Sequence, residues 1–356
     1  MPTSGEKKTD WRSVAASIAH RSGALRIAEL AARPKVVILC YHRIGTGGVP
    51  FYSELPTAIF QAQMEYLVRH YRIVPLADVP DLLSSGDFTR PAIAITFDDG
   101  YVGTYSEAFP ILRRLGIPAT TYLTVDCIET GTLAWYDRIF LALQVFEQTS
   151  FSIEIDTTHR YELTSPSARV NAASDINRRI RALPDARRVD ICHEIEKRIS
   201  LPAEPMRDRM LNWQQVREMQ VGGHSFGCHT MTHPAVGRLE PNQYGYELVQ
   251  SRELIEQRIG RPALDFAYPF GYEADCGAVP DLLVSYGYRT ASTMILGANE
   301  PGADLFRLRR SAYVQEPVAT FACRLSAQIL TGESAPKSQA AAPASEPART
   351  VQEVSA

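Results

Sequence analysis

The chain has 356 residues, 45% of them hydrophobic and 22% charged, with a formal net charge of −3. That length and balance bury a substantial core and read as one main globular domain, neither disordered nor fibrous. The slight acidic excess gives no electrostatic footprint for nucleic acid and disfavours a polyanionic ligand.

Six cysteines, Cys40, Cys127, Cys192, Cys228, Cys276 and Cys323, are scattered without a CxxC pair. A chain this long needs no disulfide staples, so they read as mostly buried thiols. No run approaches the roughly 18 apolar residues of a membrane span, and Met1 to Asp10 lacks the apolar core of a signal peptide. The expected location is therefore cytoplasmic, with association at the inner membrane surface as a further expectation.

From the N-terminus, residues 11–32 place Trp11, Val14, Ala15, Ile18, Leu25, Ala28 and Ala32 at near-helical spacing, with Arg12, Arg21 and Arg26 among them and Arg33 directly after. This predicts an amphipathic helix in an extension over 1–34. Packing on its host domain is the commoner use of such a helix, and peripheral membrane contact the alternative.

Short apolar runs follow at Val36 to Tyr41, Ala92 to Phe97, Ala119 to Val125 and Phe266 to Tyr268, and these read as buried parallel strands. Helix-like stretches at Thr57 to His70, Tyr105 to Leu115, Gln243 to Ile259 and Val279 to Tyr286 alternate with them. Such alternation predicts βαβ units in a barrel or doubly wound sheet, with the chemistry at the strand C-termini.

Residues 131–211 break the rhythm with Arg-rich and Asp-rich helical pieces, a strand over Phe151 to Ile155 and turn signals at Pro166, Pro184, Pro202 and Pro205. They read as an insertion in a main domain over 35–332. Beyond Gly332 the Ala-, Pro- and Ser-rich residues 333–356 predict a disordered tail.

Thr96-Phe97-Asp98-Asp99-Gly100 ends an apolar strand with two carboxylates. Neighbouring strand side chains face opposite ways, so both serve one site only where the chain turns, and Gly100 permits a turn. His229-Thr230-Met231-Thr232-His233-Pro234 spaces two imidazoles at i and i+4, which on a helical turn places both rings on one face. One carboxylate and two histidines make three ligands for Zn²⁺ or a similar metal, with positions open to water and substrate, and the second carboxylate is then free to act as a base.

These boxes, about 130 residues apart, together with Pro269-Phe270-Gly271, resemble the NodB-homology polysaccharide deacetylases, carbohydrate esterase family 4. The resemblance covers roughly 36–125 and 211–322. It implies an α/β fold, a distorted (β/α) barrel of the polysaccharide deacetylase type with a helical insertion. It also implies a divalent metal, Zn²⁺ first with Co²⁺, Ni²⁺ or Mn²⁺ as alternatives.

Carried onto this chain, the resemblance makes Asp98 the general base, Asp99, His229 and His233 the metal ligands, and Phe270 the donor of a backbone N–H to the oxyanion. The commoner family pattern has a base-orienting Arg where this chain has Ala267; Arg43 and Arg310 are the candidate substitutes. Cys40-Tyr41-His42-Arg43-Ile44 is similar to the Tyr-His opening of a branch acting on poly-N-acetylglucosamine-type exopolysaccharides. In that branch an early histidine can stand where a late one stands elsewhere, which makes His42 the general acid for the departing amine.

His224 reads as structural, on the strand leading to His229. Trp135-Tyr136-Asp137 reads either as a packing anchor or as a sugar-stacking element. The implied activity is removal of N-acetyl groups from an N-acetylhexosamine glycan. The alternatives are hydrolysis of a sugar O-acetyl ester or small cyclic amide at the same site, and an inactive sugar-binding protein.

Overall fold

The computed structural model describes residue 29 and residues 35–45, 54–201, 209–277, 279–312 and 316–332. Apart from residue 29, the expected helix over 11–32 lies outside the described residues, as do the tail over 333–356 and the turns at Pro202 and Pro205. The chain divides into two compact units. The described residues of Met1–Ala134 and Glu204–Ala335 form one, and those of Trp135–Ala203 the other.

The strands described are β1 (Val36–Tyr41), β2 (Arg72–Ile73), β3 (Ala92–Phe97), β4 (Thr120–Leu123), β5 (Ser150–Glu154), β6 (Thr158–Glu162), β7 (Ser225–Cys228), β8 (Asp265–Ala267), β9 (Thr290–Leu296) and β10 (Leu308–Ala312). In the first unit they pair in the order β1-β10-β9-β8-β7-β4-β3-β2, and a further β1–β3 pairing closes the ring. Every pairing in that sheet is parallel. β1 runs along one edge of β3 from Val36↔Ala92 to Tyr41↔Phe97. The other edge is shared, with β2 on its first residues and β4 on its last. β2 is thus a spur beside a closed seven-strand barrel, whose register shifts between β9 and β10.

Why β1 and β3 form the spine follows from their composition. Both are buried along their whole length, and unbroken apolar runs are what a strand covered on both faces requires. Val37, Leu39, Tyr41, Ile93, Ile95 and Phe97 pack outward on Phe60 and Met64 of helix Thr57–His70 and on Phe321 and Leu325 of helix Val318–Thr331. The alternate residues Val36, Ile38, Ala92 and Ala94 share a second cluster with Tyr122, Ala267 and Leu308. Three alanines on that inner face leave room for larger groups. The same alternation carries Cys40, Thr96 and Asp98 to the inside.

The four expected strands form, with shifts of one or two residues at β4 and β8. β9, β10 and helix Val318–Thr331 were not anticipated, because β9 opens Thr-Ala-Ser-Thr and β10 reads Leu-Arg-Arg-Ser-Ala. Two expected helices open as π-turns, at Thr104–Ala108 and Gly245–Gln250, before continuing as Phe109–Leu115 and Ser251–Ile259.

The second unit joins helices Trp135–Val145, Pro166–Arg181 and Asp185–Arg198 to an antiparallel β5–β6 hairpin. Pro166 and Pro184 begin helices, Pro166 behind a Ser165 cap that accepts from Ala168 N–H at 3.2 Å. Trp135 and Tyr136 are 3% and 8% exposed, with the Arg188 guanidinium 5.1 Å from the Trp135 ring centre. Their rings are therefore packing anchors, and the sugar-stacking reading fails for want of an open ring face.

Phe60 is fully buried and meets Tyr41 edge-on at 5.2 Å and Phe97 at 5.9 Å. Phe60→Ala is expected to cost about 3–5 kcal/mol in urea unfolding; a loss below about 1 kcal/mol would contradict this packing.

Candidate active site

β3 delivers Asp98 to the inner face at the barrel mouth, and strand alternation would then send Asp99 outward. Instead Asp99 adopts φ 71° and Gly100 N–H donates to the Asp98 carbonyl at 2.9 Å, a three-residue turn that brings the second carboxylate back. Gly100 follows at φ 86°, where an added Cβ would sit 2.9 Å from Ile128 Cδ1. The turn thus falls on Asp99 as well as on the glycine.

β7 ends at Cys228 and hands over to His229. The expected helical turn is absent: residues 229–235 are a loop, because Thr230 and His233 take left-handed conformations at φ 68° and 61°. The rings converge all the same, with centroids 4.8 Å apart. His233 N–H donates to Thr230 Oγ1 at 2.9 Å and holds the bend. Asp99 Oδ1 lies 3.5 Å from His229 Nε2 and 3.2 Å from His233 Nε2, and all three residues are buried.

This donor set fits a divalent metal. His229 Nδ1 is 2.7 Å from the Ala267 carbonyl, which can only accept, so Nδ1 carries the proton and Nε2 turns its lone pair to the Asp99 carboxylate. Burial lowers the His229 pKa to about 4, against the pull of Asp98 and Asp99, so the ring is neutral near pH 7. A neutral nitrogen lone pair and a carboxylate oxygen face each other favourably only across a cation. One potential ligand atom from each of Asp99, His229 and His233 lies within 4.8 Å of the others. These three residues would hold the metal.

Asp98 has a different environment. Arg310, fully buried on β10, donates from its two terminal nitrogens to Asp98 Oδ1 and Oδ2, each at 2.7 Å, and from Nε to the Thr293 carbonyl at 2.8 Å. Its guanidinium lies 5.5 Å from the Tyr122 ring centre. Cys40 Sγ adds a thiol hydrogen bond to Asp98 Oδ2 at 3.4 Å. Burial pushes the Asp98 pKa up, but the Arg310 charge and hydrogen bonds, with His229 and His42, outweigh it and bring the carboxyl down to about 2. Asp98 is ionised.

Of the two candidate arginines, Arg310 makes the contact with Asp98. Arg43 instead lies 4.1 Å over the Tyr101 ring. Ala267, at the place where an Arg was expected, supplies the carbonyl that orients His229. Barrel closure explains the exchange, since β10 pairs with β1 at Ile38↔Arg310 and β1 with β3 at Ile38↔Ala94. Arg310 thus starts two inner positions below Asp98 and reaches up past Thr96 Oγ1, 3.4 Å from its terminal nitrogen.

His42 follows β1 at the mouth, its side chain 44% exposed and its Nε2 3.9 Å from Asp98 Oδ2. Phe270 takes φ 60° in a second three-residue turn, with Gly271 N–H donating to the Pro269 carbonyl at 2.7 Å. Its ring meets His233 edge-on at 4.8 Å. His224 Nε2 pairs with Thr121 Oγ1 at 2.8 Å among Phe97, Phe109 and Phe226, and burial lowers its pKa to about 3. It is a core residue. Cys40 was missed as a site residue, although the period of two along Val36–Tyr41 places it inside.

The polysaccharide deacetylase family model matches residues 85–291, and the chain belongs to that family. Its members of this type are generally metal-dependent hydrolases acting on C–N bonds. Over 91 residues the chain is 31% identical to YxkH of Bacillus subtilis (strain 168), a protein named for the same family. That match takes in 25% of this chain and 32% of YxkH, so it spans about a third of the curated relative's length.

Among solved structures, the Streptococcus pyogenes deacetylase PplD, in complex with acetate, superposes with a TM-score of 0.55 at 17% identity, over 81% of this chain and 96% of its own. IcaB from Ammonifex degensii gives 0.54 at 17%, over 84% and 98%. At these identities the likeness is one of fold, the distorted (β/α) barrel.

Removing one partner of a buried ion pair strands the other. Arg310→Met is expected to cost about 3–5 kcal/mol in urea unfolding and to raise the Asp98 pKa. In an Asp98→Asn background the same substitution should cost markedly less. Additive losses around this double-mutant cycle would show the pair to be uncoupled.

Proposed function

We propose that this chain hydrolyses N-acetyl groups from an N-acetylhexosamine-containing glycan, an exopolysaccharide or its precursor, with the help of a divalent metal, Zn²⁺ first. The observation that carries the reading is the division of labour between adjacent carboxylates. Asp99 joins two buried histidines, of which His229 has a neutral lone pair to offer, while Asp98 is held ionised by Arg310 and kept out of that group. The exopolysaccharide part rests on the resemblance of Cys40-Tyr41-His42-Arg43-Ile44 to one branch of the family.

A metal bound at Asp99, His229 and His233 supplies Lewis acidity that polarises the acetyl carbonyl and acidifies water. Asp98 takes the proton from the attacking water, with Arg310 fixing the direction of its lone pairs. The Phe270 N–H, at a turn shaped by Gly271, stabilises the developing oxyanion. An added Cβ on Gly271 would lie 2.6 Å from Met294 N, which keeps that turn tight. His42, exposed beside Asp98, delivers a proton to the departing amine.

Purified protein should release acetate from N-acetylglucosamine oligomers, lose that activity on chelation and regain it with Zn²⁺. Release from an O-acetylated sugar alone would favour the ester reading, and glycan binding without stoichiometric metal the inactive one. Asp98→Asn is expected to keep its metal and lose roughly 10²–10⁴-fold in kcat. Asp99→Ala, His229→Ala or His233→Ala should lose metal and activity together. Near-normal turnover by Asp98→Asn would remove Asp98 from the role of base, and full activity of His42→Ala would send the acid role elsewhere.

A further inference from the structure

The loop between His229 and His233 is short, buried and strained, so each of its backbone groups needs a partner. His229 N–H donates to the Leu123 carbonyl at 3.0 Å. The carbonyls of Thr230 and Met231 accept from Val125 and Asp126 N–H at 3.2 and 3.0 Å, where helix Val125–Thr130 begins. His233 N–H is held by Thr230 Oγ1. The amides of Met231 and Thr232, immediately before the second histidine, need partners as well.

Both are taken by one side chain. Glu247, 3% exposed in the π-turn Gly245–Gln250, accepts from Met231 N–H at 2.9 Å and Thr232 N–H at 3.0 Å on Oε2, and from Thr232 Oγ1 at 2.7 Å on Oε1. The same turn reaches the other end of the loop. Ser251 Oγ donates to the Glu247 carbonyl at 2.6 Å and lies 3.1 Å from the sulfur of Cys228, the residue before His229. Three hydrogen bonds to this one buried carboxyl group converge on the segment that keeps Thr230 and His233 at positive φ.

We propose that Glu247 is a positioning residue for the metal centre: by gripping Met231 and Thr232 it fixes the approach of His229 and His233 and so sets the affinity for the divalent cation. The inference rests on the metal-site reading of Asp99, His229 and His233.

Its test is a Zn²⁺ titration of metal-free full-length protein against a chromophoric chelator, below the melting temperature of every variant. Glu247→Gln keeps the shape and one oxygen but loses the charge and an acceptor. It should bind Zn²⁺ roughly 10–100-fold more weakly, while kcat at saturating Zn²⁺ stays within a few-fold of wild type. Thr232→Val removes only the hydroxyl bond; it should weaken Zn²⁺ binding several-fold and decides the matter if Glu247→Gln does not fold. Wild-type affinity in the folded variant, whatever its melting temperature, would reduce Glu247 to a structural residue. A wild-type chain that binds no Zn²⁺ would instead remove the metal-site reading, and this inference with it.

Discussion

A carboxylate buried at the mouth of an apolar barrel is tolerated only with a well-placed counter-charge, because taking an ion out of water costs several kcal/mol even after the protein relaxes. Asp98 is 2% exposed and meets that condition through Arg310. Asp98 directly follows β3 and Arg310 lies on β10, the last strand among the described residues, and they meet because β10 closes against β1 while β1 pairs with β3. Closing the barrel and completing the site are therefore one event. An open doubly wound sheet with the same strands would leave Arg310 on a distant edge and Asp98 without its partner.

The second cost is conformational. Among the described residues, the non-glycine positions with positive φ are Asp99, Thr230, His233 and Phe270. All four lie in the turns just beyond the C-terminal ends of β3, β7 and β8. A left-handed conformation costs about 1–2 kcal/mol at such a residue, and it persists where surrounding contacts over-determine it. Here those contacts are the short bonds across Asp99 and Phe270, the Thr230 hydroxyl and the Glu247 carboxylate. The straight parts of the strands carry no such outlier, so strain is confined to the places where side chains must be turned back toward one point.

What could be read from the sequence, and what could not, follows from the same division. Val36–Tyr41 and Ala92–Phe97 announce themselves because burial on both faces demands unbroken apolar runs. The carboxylate and histidine boxes are visible because their spacing is local. Arg310 was visible only as one of two arginines: its strand, Leu-Arg-Arg-Ser-Ala, mixes charge and polarity because it lines the inside beneath the site. Its role depends on a register set by closure. The histidine pair was assigned a helical turn on its i, i+4 spacing, yet positive φ at Thr230 and His233 brings the rings together without a helix. Trp135 and Tyr136 offered two readings, and only burial decides between them.

The grip of Arg310 also ties Asp98 to its neighbours chemically. Without a counter-charge, burial would drive Asp98 toward its neutral form, which can donate a proton but not take one. With Arg310 it stays ionised, at the expense of basicity. A carboxylate held down in this way is a weak base toward ordinary water, whose pKa is about 15.7. Water acidified to about 7, as beside a divalent cation, would narrow the gap by roughly 12 kcal/mol. In the proposed reaction an ionised but weakly basic Asp98 would therefore work best next to a Lewis acid. The carboxylate and imidazoles suited to hold one begin at the very next residue, Asp99.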